Sequence, residues 1–108
     1  FDGAHCGLIG FEPSLGLTIK ELVKPGIINL ATMVDRVSAA PARIAGLKAK
    51  GAIKEGFDAD IAILDDTREW AVKKEDFVSK SKNSPFIGWT LTGVVEYTIC
   101  AGKVVYKR

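Results

Sequence analysis

An α+β chain, helical in its first half and stranded in its second, is the fold class this sequence predicts. Three observations carry that reading. Apolar residues recur at helical spacing between Glu12 and Leu47, short β-branched runs take over after Lys50, and a two-residue turn splits the last run into a hairpin. At 108 residues with 47% hydrophobic content, the chain has core enough for one small domain and is not disordered.

The elements follow in order. Phe1 to Gly10 holds Gly3, Gly7 and Gly10 and the single histidine, His5, and reads as a loop whose backbone can approach another group closely. A helix is predicted over Glu12 to Lys24. Pro13 suits a first helical position, Leu15, Ile19, Leu22 and Val23 form its apolar stripe, and Pro25-Gly26 ends it. Asn29 is placed to cap a second helix bearing Leu30, Met33, Val34 and Val37. Ala40 to Arg43 starts a further short helical turn, with Ile44 and Leu47 expected to face inward. Ala59 to Leu64 is an apolar run closed by Asp65-Asp66 and reads as a strand, with Glu69 to Val72 as a separate one. Ser79 to Trp89 is a polar loop. Gly93 to Cys100, the turn Ala101-Gly102 and the return Lys103 to Tyr106 form a hairpin. There is no internal repeat and no low-complexity segment.

Composition excludes several function classes. Fifteen Lys and Arg against thirteen Asp and Glu, interspersed, give neither a nucleic-acid nor a membrane footprint. No apolar run approaches the roughly 20 residues that span a bilayer. Two cysteines, Cys6 and Cys100, without a signal peptide fit free thiols in a reducing cytoplasm. The start at Phe1, without Met, is expected for a fragment.

A catalytic centre is incomplete here. One histidine and two distant cysteines do not make a conventional metal site, and no nucleophile elbow is present. His5 is expected to line a ligand or order its loop rather than catalyse. Asp58 and Asp60, spaced like paired carboxylates, read as turn residues before a strand. Lys73-Lys74 and Lys80 with Lys82 read as a solvated face.

Several segments carry a resemblance. Ala40-Pro41-Ala42-Arg43-Ile44-Ala45-Gly46-Leu47 resembles the PAR-x-x-GL segment late in cyclic amidohydrolases, and Lys50-Gly51 through Gly56, Asp58-Ala59-Asp60 and Ile61 resembles the strand pair that follows it there. Glu69-Trp70, the stretch Phe77 to Trp89 with Ser79-Lys80-Ser81-Lys82-Asn83-Ser84-Pro85-Phe86, and the ending Gly102 to Tyr106 are similar to the dihydroorotases in particular. The opening, with Phe1, Ala4, Gly7, Gly10 and Glu12, resembles the segment just after that family's last catalytic Asp. The likeness runs the length of the chain.

The resemblance implies that residues 1–47 are the end of a catalytic (β/α)8 barrel, namely the loop after the eighth strand and the closing helices. Residues 48–108 are then the C-terminal part of a composite β-sandwich domain. It implies a C-terminal fragment of a zinc-dependent hydrolase that interconverts N-carbamoyl-L-aspartate and L-dihydroorotate in pyrimidine synthesis. The zinc ligands and catalytic Asp lie outside these residues, so the fragment alone is expected to be inactive, with no catalytic or metal residue of its own. Substrate contact is carried over to Cys6 and Gly7 first, then Ala4 and His5, through the loop backbone; His5 stands where Pro is usual, Cys6 stands where a larger apolar residue is often found, and Pro13 replaces the more usual small polar residue. The implied partners are the small-molecule substrate, the missing N-terminal barrel, further copies of the chain and aspartate carbamoyltransferase, with no nucleic acid and no membrane. Alternatives are a non-catalytic scaffold of the same fold, or dihydropyrimidinase, allantoinase or hydantoinase.

Overall fold

The computed structural model describes residues 2–3 and 7–108. Helix α1 (Phe11–Thr18) continues through a π-helical turn at Ile19–Val23 and stops where Pro25 and Gly26 follow. Pro13 sits in the first turn, not at its first position, and is buried. Its missing N–H costs nothing there, because the first N–H groups of a helix have no intrahelical acceptor.

Helix α2 (Leu30–Val34) begins as the sequence predicts: the Asn29 side chain accepts from Thr32 N at 2.8 Å. It widens into a π-helical turn at Asp35–Ala39 and runs on into α3 (Ala40–Ile44). The wider turn lies just before Pro41, which has no N–H to offer the carbonyl four residues back.

The second half is a three-stranded antiparallel sheet in the order β1 (Ile61–Ala71), β2 (Thr90–Cys100), β3 (Lys103–Lys107). The β2–β3 hairpin has the expected two-residue turn. Ala101 and Gly102 both have positive φ, 48° and 76°, as a turn matched to strand twist requires.

Two expectations about β1 are corrected. Asp65-Asp66 does not close the strand, and Glu69 to Val72 does not form a separate one. The ladder moves from Asp65 opposite Val94 to Glu69 opposite Thr92, so β1 bulges by extra residues and resumes. The turn chemistry read into Asp65 is present inside the bulge: its Oδ1 accepts from Thr67 N, Thr67 Oγ1 and Arg68 N. Those bonds, the Thr67 hydroxyl first, hold the Asp65 carboxyl below the usual carboxylate range.

Gly93 faces this bulge at φ 100°, and Trp70 Nε1 donates to its carbonyl at 3.0 Å. The sheet core of Val72, Phe77 and Leu91 gathers Ile9, Leu17, Trp70 and Phe86 around it. Each such fully buried apolar side chain contributes about 1.5–3 kcal/mol. Helix α1 lies across β2 with Ile19 fully buried against Gly93, so the first helix finds its partner within the chain. The later helices do so only in part. Met33 and Ala42 are buried, but Leu30, Val34 and Val37 are exposed, and Ile44 and Leu47, expected inside, are 88% and 47% exposed.

Candidate functional site

The opening loop meets the long loop between β1 and β2. Gly7, exposed and at φ 80°, is the described end of the predicted substrate loop. Its carbonyl accepts from Asn83 Nδ2 at 2.7 Å, and Ile9 N donates to the Asn83 carbonyl at 2.8 Å. Three residues after Ile9, Glu12 Oε1 accepts from Val78 N at 3.0 Å. Lys20 Nζ then donates to the Thr90 carbonyl at 2.8 Å and lies 5.6 Å over the Trp89 ring. A row of contacts thus ties residues 7–20 to residues 78–90. Ala4, His5 and Cys6, the other predicted substrate contacts, lie outside the described residues.

Asn83 is the residue that sequence reasoning missed. It stood in a polar stretch with no periodic signal, and its place in the Asn83-Ser84-Pro85-Phe86 run was the only cue. The Lys82 ammonium turns inward to the Phe77 carbonyl, so one of the lysines expected to be solvated helps shape the loop.

The paired carboxylates hold the chain together. Lys50 Nζ lies 3.0 Å from Asp58 Oδ2 and also hydrogen-bonds Asp60 Oδ2. Asp60 Oδ1 accepts from Ala101 N at 2.8 Å, and Gly102 N donates to the Ala59 carbonyl at 3.0 Å. The segment after the helices is therefore clamped onto the hairpin turn. Bonds to Asp60, then Asp58, raise the Lys50 ammonium above the usual lysine value. The Lys50 bond first, and the Ala101 N–H second, hold the Asp60 carboxyl below the usual range. Both groups are locked charged, which suits a structural clamp and not proton transfer near neutral pH.

Among the described residues no group of three or more His, Cys, Asp or Glu could hold a metal ion. Cys100 is a free, exposed thiol. A groove of about 590 Å³ opens between the start of α1 and the sheet, with Glu12, Asp76 and Arg108 on its walls and Trp70 at one side. No helix of the described residues is long and apolar enough to cross a membrane.

The sequence profile of the amidohydrolase family matches residues 21–106. A dihydroorotase of Geobacter metallireducens is 44% identical over 108 residues, all of this chain and 25% of that protein. A dihydroorotase of Geotalea daltonii is 46% identical over the same length and share. The chain spans about a quarter of the length of these curated relatives. Among solved structures, an L-hydantoinase (dihydropyrimidinase) from Arthrobacter aurescens matches 96% of this chain and 23% of its own, with 34% identity and a TM-score of 0.88.

Proposed function

The chain belongs to the amidohydrolase family, and on that premise we propose that it is the C-terminal part of a dihydroorotase, interconverting N-carbamoyl-L-aspartate and L-dihydroorotate. The observation that carries this is identity above 40% along all 108 residues to proteins named dihydroorotase. The reaction closes or opens a cyclic amide: water adds to the ring carbonyl, the C–N bond breaks, and the released nitrogen takes a proton.

In this reading residues 1–47 finish a catalytic barrel and residues 48–108 belong to a composite β domain beside it. The exposed apolar side chains of Leu30, Val34, Val37 and Ile44 support that division, because they form a face that a barrel would cover. The zinc that dihydroorotase activity calls for finds no ligand set among the described residues, so its ligands and the catalytic Asp are assigned to the rest of the protein. The share of this chain is substrate contact through the loop of Ala4, His5, Cys6 and Gly7, whose main-chain N–H groups suit a carboxylate or ring carbonyl. Alone, the chain is inactive. A cytoplasmic location and a homo-oligomer belong to the same reading.

The likeness to the Arthrobacter L-hydantoinase favours a second reading, hydrolysis of a hydantoin or dihydropyrimidine ring. One experiment separates the two. The full-length protein is assayed with L-dihydroorotate, dihydrouracil and a 5-substituted hydantoin under identical conditions. Preference for dihydroorotate is the expected result. Turnover confined to the other two rings overturns the proposal, and turnover of none supports a non-catalytic scaffold instead.

A further inference from the structure

The loop proposed to touch substrate is held in place from the far side of the chain. Asn83 grips it twice, with its side-chain amide on the Gly7 carbonyl at 2.7 Å and its own carbonyl on Ile9 N at 2.8 Å. Leu8, between the two bonds, is exposed and gives little packing to fix the peptide. Ile9 enters the sheet core, and Glu12 Oε1 is bonded to Val78 N, so the next residues are anchored to the same segment. The direction of the backbone at Gly7 is therefore set by the loop between β1 and β2, 76 residues away.

We propose that Asn83 is a positioning residue for substrate binding. Its amide fixes the peptide plane at Gly7, and through it the approach of the loop backbone to a carboxylate or carbonyl of the substrate. This rests on the reading that the loop ending at Gly7 contacts substrate. The chemistry selects the side chain. A backbone carbonyl needs a neutral N–H donor, and Asn supplies one at short reach while Asp presents a second acceptor in nearly the same shape. The bond to Ile9 N uses only the Asn83 backbone and survives substitution.

The test is steady-state kinetics on the full-length enzyme. Asn83→Asp raises KM for dihydroorotate roughly three- to tenfold, the span expected for one hydrogen bond, while kcat falls less and the melting temperature barely moves. Asn83→Gln, which keeps the donor one methylene further out, recovers part of the KM. Gly7→Ala, which disfavours the positive φ, tests the loop reading separately. Trp70→Phe removes the bond to the Gly93 carbonyl and serves as a folding control, lowering the melting temperature without a change in KM. If Gly7→Ala raises KM and Asn83→Asp does not, the positioning role is wrong while the loop reading stands. If neither changes KM, the loop reading fails and takes the proposal with it. If Asn83→Asp lowers the melting temperature as Trp70→Phe does, with no split between KM and kcat, Asn83 is a structural staple only and the proposal is overturned.

Discussion

Gly93→Ala is the substitution that tests most directly how α1 sits on the sheet. A Cβ at Gly93 would lie 2.3 Å from Ile19 Cδ1 and 3.4 Å from its Cγ1, and Ile19 is fully buried, so its methyl has no empty space to enter. Overpacking of that kind costs about 1–3 kcal/mol. The φ of 100° at Gly93 adds about 1–2 kcal/mol for a residue with a Cβ. Restriction of the unfolded chain by Ala returns about 0.4–1 kcal/mol. The net loss is about 1–4.5 kcal/mol, a large share of the stability of a small domain. Urea unfolding followed by tryptophan fluorescence suits the measurement, because Trp70 is bonded to the Gly93 carbonyl itself. Ile19→Val removes the offending methyl and alone costs about 0.5–1.5 kcal/mol. In the double variant the overpacking disappears while the φ strain stays, so the combined loss is smaller than the sum by about 1 kcal/mol or more. A loss below about 0.5 kcal/mol for Gly93→Ala, or strict additivity in the double variant, would refute the packing argument.

Three other outcomes follow from the same geometry. Lys50→Met should remove a pH-dependent contribution: with Asp60 lowered and Lys50 raised, the clamp acts fully between the usual carboxylate and usual lysine values. It is lost as pH falls through the Asp60 value or rises through that of Lys50. A difference in urea midpoint between parent and variant that stays constant from acid to alkaline pH would contradict this. Ala101→Asn should stabilise by about 0.5–1 kcal/mol, because Asn accepts the left-handed φ of 48° more readily; a lower melting temperature would count against the turn assignment. Val34→Lys with Val37→Lys should reduce self-association of the 108-residue chain in sedimentation velocity, both side chains being exposed. A parent chain that stays monomeric at every concentration would remove the basis for that expectation.

What was legible in the sequence depended on how far each residue's partners lie from it. The Asn29 cap, the stop at Pro25-Gly26 and the Ala101-Gly102 hairpin are local, and they stand where they were predicted. Asp58 and Asp60 read as turn residues, but their carboxylates bond Lys50 and the distant Ala101 N–H instead of their own turn, so turn chemistry alone could not name the clamp they form. Asp65 misled because an Asx turn and a bulge share the same short-range bonds, and only the strand opposite decides whether the chain ends there or continues. Ile44 and Leu47 have the right periodicity for burial, yet no surface among the described residues covers them. Asn83 left the weakest trace: a polar side chain bonded to a carbonyl 76 residues away has no periodicity to betray it.

The contacts that seat α1 also impose an order on synthesis. Lys20 waits for Thr90, 70 residues later, and Ile19 waits for Gly93. At about 5–20 residues per second, that interval is roughly 4 to 14 s on the ribosome. Throughout it the sheet partners of the helix, Thr90 and Gly93, are not yet made. Until β2 is made, α1 lacks the sheet partner it has in the folded chain, and a pause in translation between β1 and β2 lengthens that interval.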